Sequence, residues 1–221
     1  NLRAIKLAAA AVRERLSPEH WSLIEQTEKA FFQPPQQDTS IASNIWAQQL
    51  LSRTSQLMAA LTGAQTDRMT RDDGWRFLSI GRHIERLDFL ANALDSAIQT
   101  QCVQNQPGFD AVLALFDSTI SFHAQYQQSR TLGALLELLL THTDNPRALG
   151  WVAQTLRGRL AKMGHLAQGA TQAMAQQIPI LSDIDLISLV PDGQHHSPAL
   201  LTLLLDCRHT ARSVSDQLNS L

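Results

Sequence analysis

Along residues 70 to 98 apolar side chains recur every three or four positions. Phe77, Ile80, Ile84, Leu87, Ala91, Leu94 and Ile98 form one stripe on a helix of 3.6 residues per turn. Thr70 and Asp73 stand just before it at capping-box spacing, with Asp in place of the usual Glu or Gln. The spacing predicts a helix over about 71 to 101, its stripe turned toward a core. Leu2 to Leu16 reads as an earlier helix. Ser17-Pro18 supplies a cap and a first-turn proline for a second helix to about Phe32. After the loop Gln33 to Asp38, Thr39 or Ser40 can cap a third helix through Leu61, which Gly63 ends.

Beyond the break at Gln104 to Gly108, Phe109 to Gln127 reads as one helix and Thr131 to His142 as a short apolar one. Asn145-Pro146 repeats the cap-then-proline start for a helix to Met163. Another spans about 165 to 177, and Ile180 to Val190 is apolar but short. Ser197-Pro198 opens the last helix, leucine-rich and hence buried. The expectation is an all-α chain, a bundle of about seven to nine helices joined by short loops, in one domain over residues 1–221.

A second flank of the helix over about 71 to 101 carries Leu78, Gly81, Glu85 and Phe89. A carboxylate among apolar neighbours is expensive unless paired, and Arg82 lies one turn back. Glu85 is therefore expected to be at least half buried and bonded to Arg82 first, then to an Arg of another helix. On that reading Glu85→Ala costs about 3 kcal/mol. A mid-helix glycine costs roughly 1 kcal/mol, so Gly81 implies that another chain segment comes close there. The cluster of Gly81, Arg82, Glu85 and Arg86 is either an ion-pair knot that fixes helix register or a polar recognition site in a groove.

Composition narrows the partners. Ala, Leu and Gln dominate and residues that favour strands are sparse. A net charge of −2 gives no basic footprint for nucleic acid. No apolar run approaches the ~18 residues of a membrane span, and no signal peptide opens the chain. Cys102 and Cys207 lack metal or disulfide-scaffold spacing, which suits a cytoplasmic protein.

Candidate chemistry is thin. No Glu-x-x-His pair of a di-metal bundle occurs. Neither Asp206 with His209 nor His195-His196 makes a ligand set, so no metal is expected. Cys207 beside Arg208 and His209 reads as a core residue rather than a nucleophile. Phosphate loops, nucleophile elbows and kinase motifs are absent, and no cofactor is expected.

Gly81-Arg82-His83-Ile84-Glu85-Arg86, after Trp75-Arg76-Phe77-Leu78, resembles the Gly-Arg-x-x-Glu-Arg signature of the bacterial alpha-E domain family. Val12-Arg13-Glu14 resembles that family's Val-Arg-Glu segment, and Asn145-Pro146-Arg147 its Asn-Pro-Arg segment, in the same order. The resemblance implies a helical domain whose site draws on Gly81, Arg82, Glu85, Arg86, Arg13, Glu14 and Arg147. It also implies that the family's first helical segment is missing, since no Gly-Arg-Tyr-x-Glu-Arg copy precedes Val12. Such domains are associated with, and often fused to, circularly permuted ATP-grasp ligases, with transglutaminase-like proteins nearby. The implied partner is such a ligase, in the same or a separate polypeptide, together with its peptide substrate. Two roles follow from this: a non-catalytic binding module, or an enzyme acting on a peptide amide with Glu85 as general acid or base.

Overall fold

Residues 1–32, 43–127, 129–165 and 169–221 are described by the structure, a computed structural model, and every regular element among them is helical. The expected loop at Gln33 to Asp38 and cap at Thr39 or Ser40 lie outside the described residues. The chain forms two compact units, residues 1–71 and 72–221.

In the first unit, α1 (Leu2–Ala11) ends in a 3-10 turn at Arg13–Arg15, so the single helix expected to Leu16 is two pieces. α2 (Pro18–Phe32) begins at its proline, with Ser17 Oγ accepting from the His20 N–H at 3.1 Å. α3 (Ser43–Gly63) does not stop at Gly63, which is right-handed helical and leads into a π-helical turn at Ala64–Arg68. The core is small: Ala9, Ile24 and Leu61, with Leu16, Trp21, Leu23 and Met58 around them.

The second unit is organised by α4 (Asp73–Gln99), 27 residues and about 40 Å long. Its cap is Asp72, which accepts from the Trp75 N–H at 3.0 Å, and not Thr70. Asp73 is instead held by Arg76 at 2.7 Å and His165 at 3.0 Å, so it cannot reach back. The buried face runs through Trp75, Ser79, Ile80, His83, Ile84, Leu87, Leu90, Ala91, Leu94, Asp95, Ala97 and Ile98. Phe77 is off this face and 43% exposed, because Trp75 and Ser79 occupy the first turns of the stripe instead.

Gln101 turns the chain in a left-handed conformation before a 3-10 turn, Cys102–Gln104. α5 (Gln106–Leu115) and α6 (Thr119–Tyr126) replace the one helix expected over 109 to 127. The break is at Asp117, whose φ of 48° ends the first helix. α7 (Leu132–Leu136) passes into a π-helical turn, Glu137–Thr141, buried through Leu138, Leu139 and Leu140. α8 (Leu149–Lys162) starts three residues beyond Pro146. α9 (Ala170–Gln177), the short α10 (Leu186–Leu189) and α11 (Pro198–Asn219) complete the unit. Eleven α-helices lie among the described residues, somewhat more than expected, because long apolar stretches are divided by tight turns.

α4 packs chiefly against α11 and α8. On the α11 side Arg208 reaches Asp88 at 3.7 Å and Asp95 at 3.6 Å, and Arg212 reaches Asp88 at 3.3 Å. A register-fixing ion-pair knot therefore exists on α4, but it uses Asp88 and Asp95 rather than Glu85.

Candidate functional site

α8 lies against the first half of α4, and the facing side chains are largely cationic and aromatic. His83 is 6% exposed, and its ring tilts against Trp151 with centroids 5.6 Å apart. His83 Nδ1 lies 2.6 Å from the Ser79 carbonyl oxygen. A carbonyl only accepts, so Nδ1 carries the proton and the neutral ring presents a bare lone pair at Nε2. That Nε2 is buried and has no hydrogen-bond partner among the described residues. Burial pushes the His83 pKa down to about 4, against the pull of the Ser79 bond, and the charges of Arg86, Arg82 and Arg159 push it the same way.

Arg159 lies 4.4 Å over the Trp75 ring. Burial lowers the pKa of both Arg82 and Arg86, and for Arg86 the charges of Arg147 and Arg82 add to the effect. Arg86 is half-buried, and among the described residues no carboxylate or carbonyl accepts from it. Arg147 reaches Asp117 at 3.3 Å, but that carboxylate is 77% exposed and the pair is worth little in water.

The segment that carries Arg147 is fixed by Asn145, whose side chain donates to Ser118 Oγ at 3.1 Å and to the Leu138 carbonyl at 3.3 Å. Its oxygen accepts from the Arg147 N–H at 3.0 Å, which shapes the turn in front of α8. Asn145 is thus a tertiary clamp and not the helix cap that its proline suggested. The buried Gly150 lets α8 lie directly on the π-helical turn. A Cβ there would meet the Thr141 carbonyl oxygen at 2.8 Å and that of Leu140 at 3.0 Å.

Of the residues singled out in the sequence, Arg82, Arg86 and Arg147 come together here. Gly81 and Glu85 do not. Both are exposed, and a Cβ on Gly81 would meet nothing within 4 Å, so no neighbour explains that glycine. Glu85 forms no hydrogen bond or ion pair among the described residues, since water solvates its carboxylate more cheaply than a buried pair would. Glu85→Ala is accordingly expected to change stability by no more than about 0.5 kcal/mol, read from the urea midpoint, in place of the larger loss inferred from the pattern. Arg13 and Glu14 belong to the first unit. Arg13 donates to the Leu16 carbonyl at 3.0 Å and covers Trp21 at 5.1 Å, while Glu14 is exposed.

His83 and Arg159 were not singled out in the sequence. The available signal was a polar residue inside the buried stripe, between Ile80 and Ile84. Among the described residues no three His, Cys, Asp or Glu side chains gather as a metal ion needs, and no helix is long and apolar enough to cross a membrane. Cys207 is fully buried, and burial with Asp206 nearby pushes its thiol up to about 12. It is a core side chain, as inferred.

Residues 1–220 match the Alpha-E family, described as a predicted alpha-helical domain with a conserved ER motif. Uncharacterized proteins from Mycobacterium bovis and Mycobacterium tuberculosis are 28% identical over 165 residues, which is 72% of this chain and 18% of each relative. The chain thus spans less than a fifth of the curated relatives it matches. No solved structure matches it.

Proposed function

The chain belongs to the Alpha-E family, and we propose that it is a non-catalytic binding module that holds a carboxylate-bearing peptide or partner segment for a circularly permuted ATP-grasp amide or peptide ligase. The observation that carries this reading is Arg86: half-buried, beside Arg147 and Arg82, with no anion to balance it among the described residues. The contrast with the opposite side of α4 is instructive, because there Asp88 and Asp95 answer Arg208 and Arg212. Guanidinium groups match carboxylates bidentately, and a ligand carboxylate would offset the repulsion that Arg147 and Arg82 exert on Arg86.

The enzymatic alternative rested on Glu85. General acid–base work needs a matched group within reach, and Glu85 stands on the exposed side of α4 without a hydrogen-bonded or ion-paired partner. Binding is therefore the better-supported role. The ligase, in the same or a separate polypeptide, uses ATP, and the module is proposed to work beside it in the cytoplasm.

The test is calorimetric titration of the chain with an ATP-grasp ligase and with its peptide product, beside an activity screen on peptide amides. Wild type and Glu85→Gln are expected to bind equally and without turnover. Arg86→Gln is expected to bind at least about tenfold more weakly, as loss of a charge-assisted hydrogen bond implies. Turnover abolished by Glu85→Gln, or binding indifferent to Arg86→Gln, would overturn the reading.

A further inference from the structure

Arg86 calls for an anion, but His83 calls for something else. Its Nδ1 proton is committed to the Ser79 carbonyl at 2.6 Å, so Nε2 can only accept. A carboxylate oxygen also only accepts, and it would face that lone pair without a bond. A buried acceptor left unsatisfied is costly, so Nε2 must gain a proton of its own or be given a donor. The first route puts a cation among Arg82, Arg86 and Arg159, behind the Trp151 ring, in a residue that is 6% exposed. The second requires only a neutral N–H.

We propose that the ligand of this site bears an amide N–H beside its carboxylate, as the terminal residue of a peptide or an N-acyl amino acid does, and gives that N–H to His83 Nε2 while the carboxylate meets Arg86 and Arg147. This rests on the anion-binding reading above and specifies its ligand. The two demands are spatially ordered. The acceptor is the buried partner, packed on an aromatic ring, whereas Arg147 is exposed and Arg86 half-buried. The neutral end of the ligand therefore goes inward and the charged end outward, the arrangement that costs least desolvation. A phosphate group carries its charge and any O–H on one tetrahedral centre and does not separate the two in this way.

N-acetylglycine and acetoxyacetate differ in that an ester oxygen replaces the amide N–H. Titrated into the full chain, N-acetylglycine is expected to bind about fivefold more tightly or better, the worth of one hydrogen bond to a buried acceptor. In nitrogen-15 spectra the His83 Nε2 signal should move with N-acetylglycine, keep its neutral character, and stay still with acetoxyacetate. Arg86→Gln should weaken both ligands. His83→Phe keeps a ring against Trp151 without the lone pair and should erase the preference; the spectra of wild type test the contact without relying on that variant folding. Equal binding of both ligands, lost in Arg86→Gln, with Nε2 unmoved would reject the amide contact and leave the anion reading standing. Failure of both ligands to bind would reject the anion reading and the amide contact together. Preferential binding of inorganic phosphate with protonation of His83 would reject a peptide terminus as the ligand.

Discussion

Acidification from pH 7 to pH 4 is expected to remove about 3 kcal/mol of stability through His83. Its pKa falls from 6.5 to about 4 in the folded chain, roughly 2.5 pH units at about 1.36 kcal/mol each. The unfolded chain takes up the proton as pH drops through 6.5, while the folded one refuses it until about 4, so unfolding gains protons and stability falls across that window. Above 6.5 the contribution is complete and constant. Small domains have only about 5–15 kcal/mol in total, so this is a large share. Urea midpoints measured between pH 4 and pH 7 should slope in wild type and much less in His83→Gln. Equal slopes would mean that the imidazole is solvated in the folded chain. His20, buried in the first unit, has a pKa lowered in the same direction and adds to a residual slope, as do the lowered carboxyls of Glu19, Asp73 and Asp192 toward its acid end.

Two glycines of α8 should respond to alanine with opposite signs. Gly150→Ala places a methyl 2.8 Å from the Thr141 carbonyl oxygen and 3.0 Å from that of Leu140, and both are backbone atoms that cannot swing aside. Either α8 or the π-helical turn must retreat. Overpacking of this kind typically costs about 1–3 kcal/mol, and about 2 is expected here after the better helix propensity of alanine is credited. Gly158, on the same helix, has nothing within 4 Å of an added Cβ, so Gly158→Ala should stabilise by about 0.5–1 kcal/mol. Chemical denaturation of both variants decides the matter, and a neutral Gly150→Ala would show that the contact relaxes freely. Displacement of α8 also moves Arg147, so Gly150→Ala is expected to weaken anion binding where Gly158→Ala does not.

Local rules are legible in the sequence where local atoms enforce them. Pro18 and Pro198 begin their helices because proline fixes φ and forfeits an N–H that the first turn does not need. Asn145-Pro146 carries the same signal and misleads, because the Asn side chain is taken by Ser118, 27 residues back, and by Leu138. Phe109 to Gln127 keeps a helical period through a break that one left-handed residue, Asp117, introduces. Glu85 was misplaced for a related reason. Periodicity divides a helix into faces, but which face meets α8 and which meets water depends on partners far away in sequence. Arg82 and Arg86 are legible as a polar cluster on one helix, whereas Arg147 comes only through the family resemblance, since no spacing rule links residue 147 to residue 86. His83 escaped because its chemistry depends on Ser79, Trp151 and Arg159 at once.

The pairing of α4 with α11 also dictates when this chain can fold. α4 ends at Gln99 and α11 begins only at Pro198, so the principal partner of the central helix is made last within its unit. At about 5–20 residues per second, a ribosome needs on the order of ten seconds to bridge that interval. Throughout it, the part of the α4 surface that α11 covers in the finished fold stays open. The second unit is thus expected to complete its fold only once its final helix has emerged.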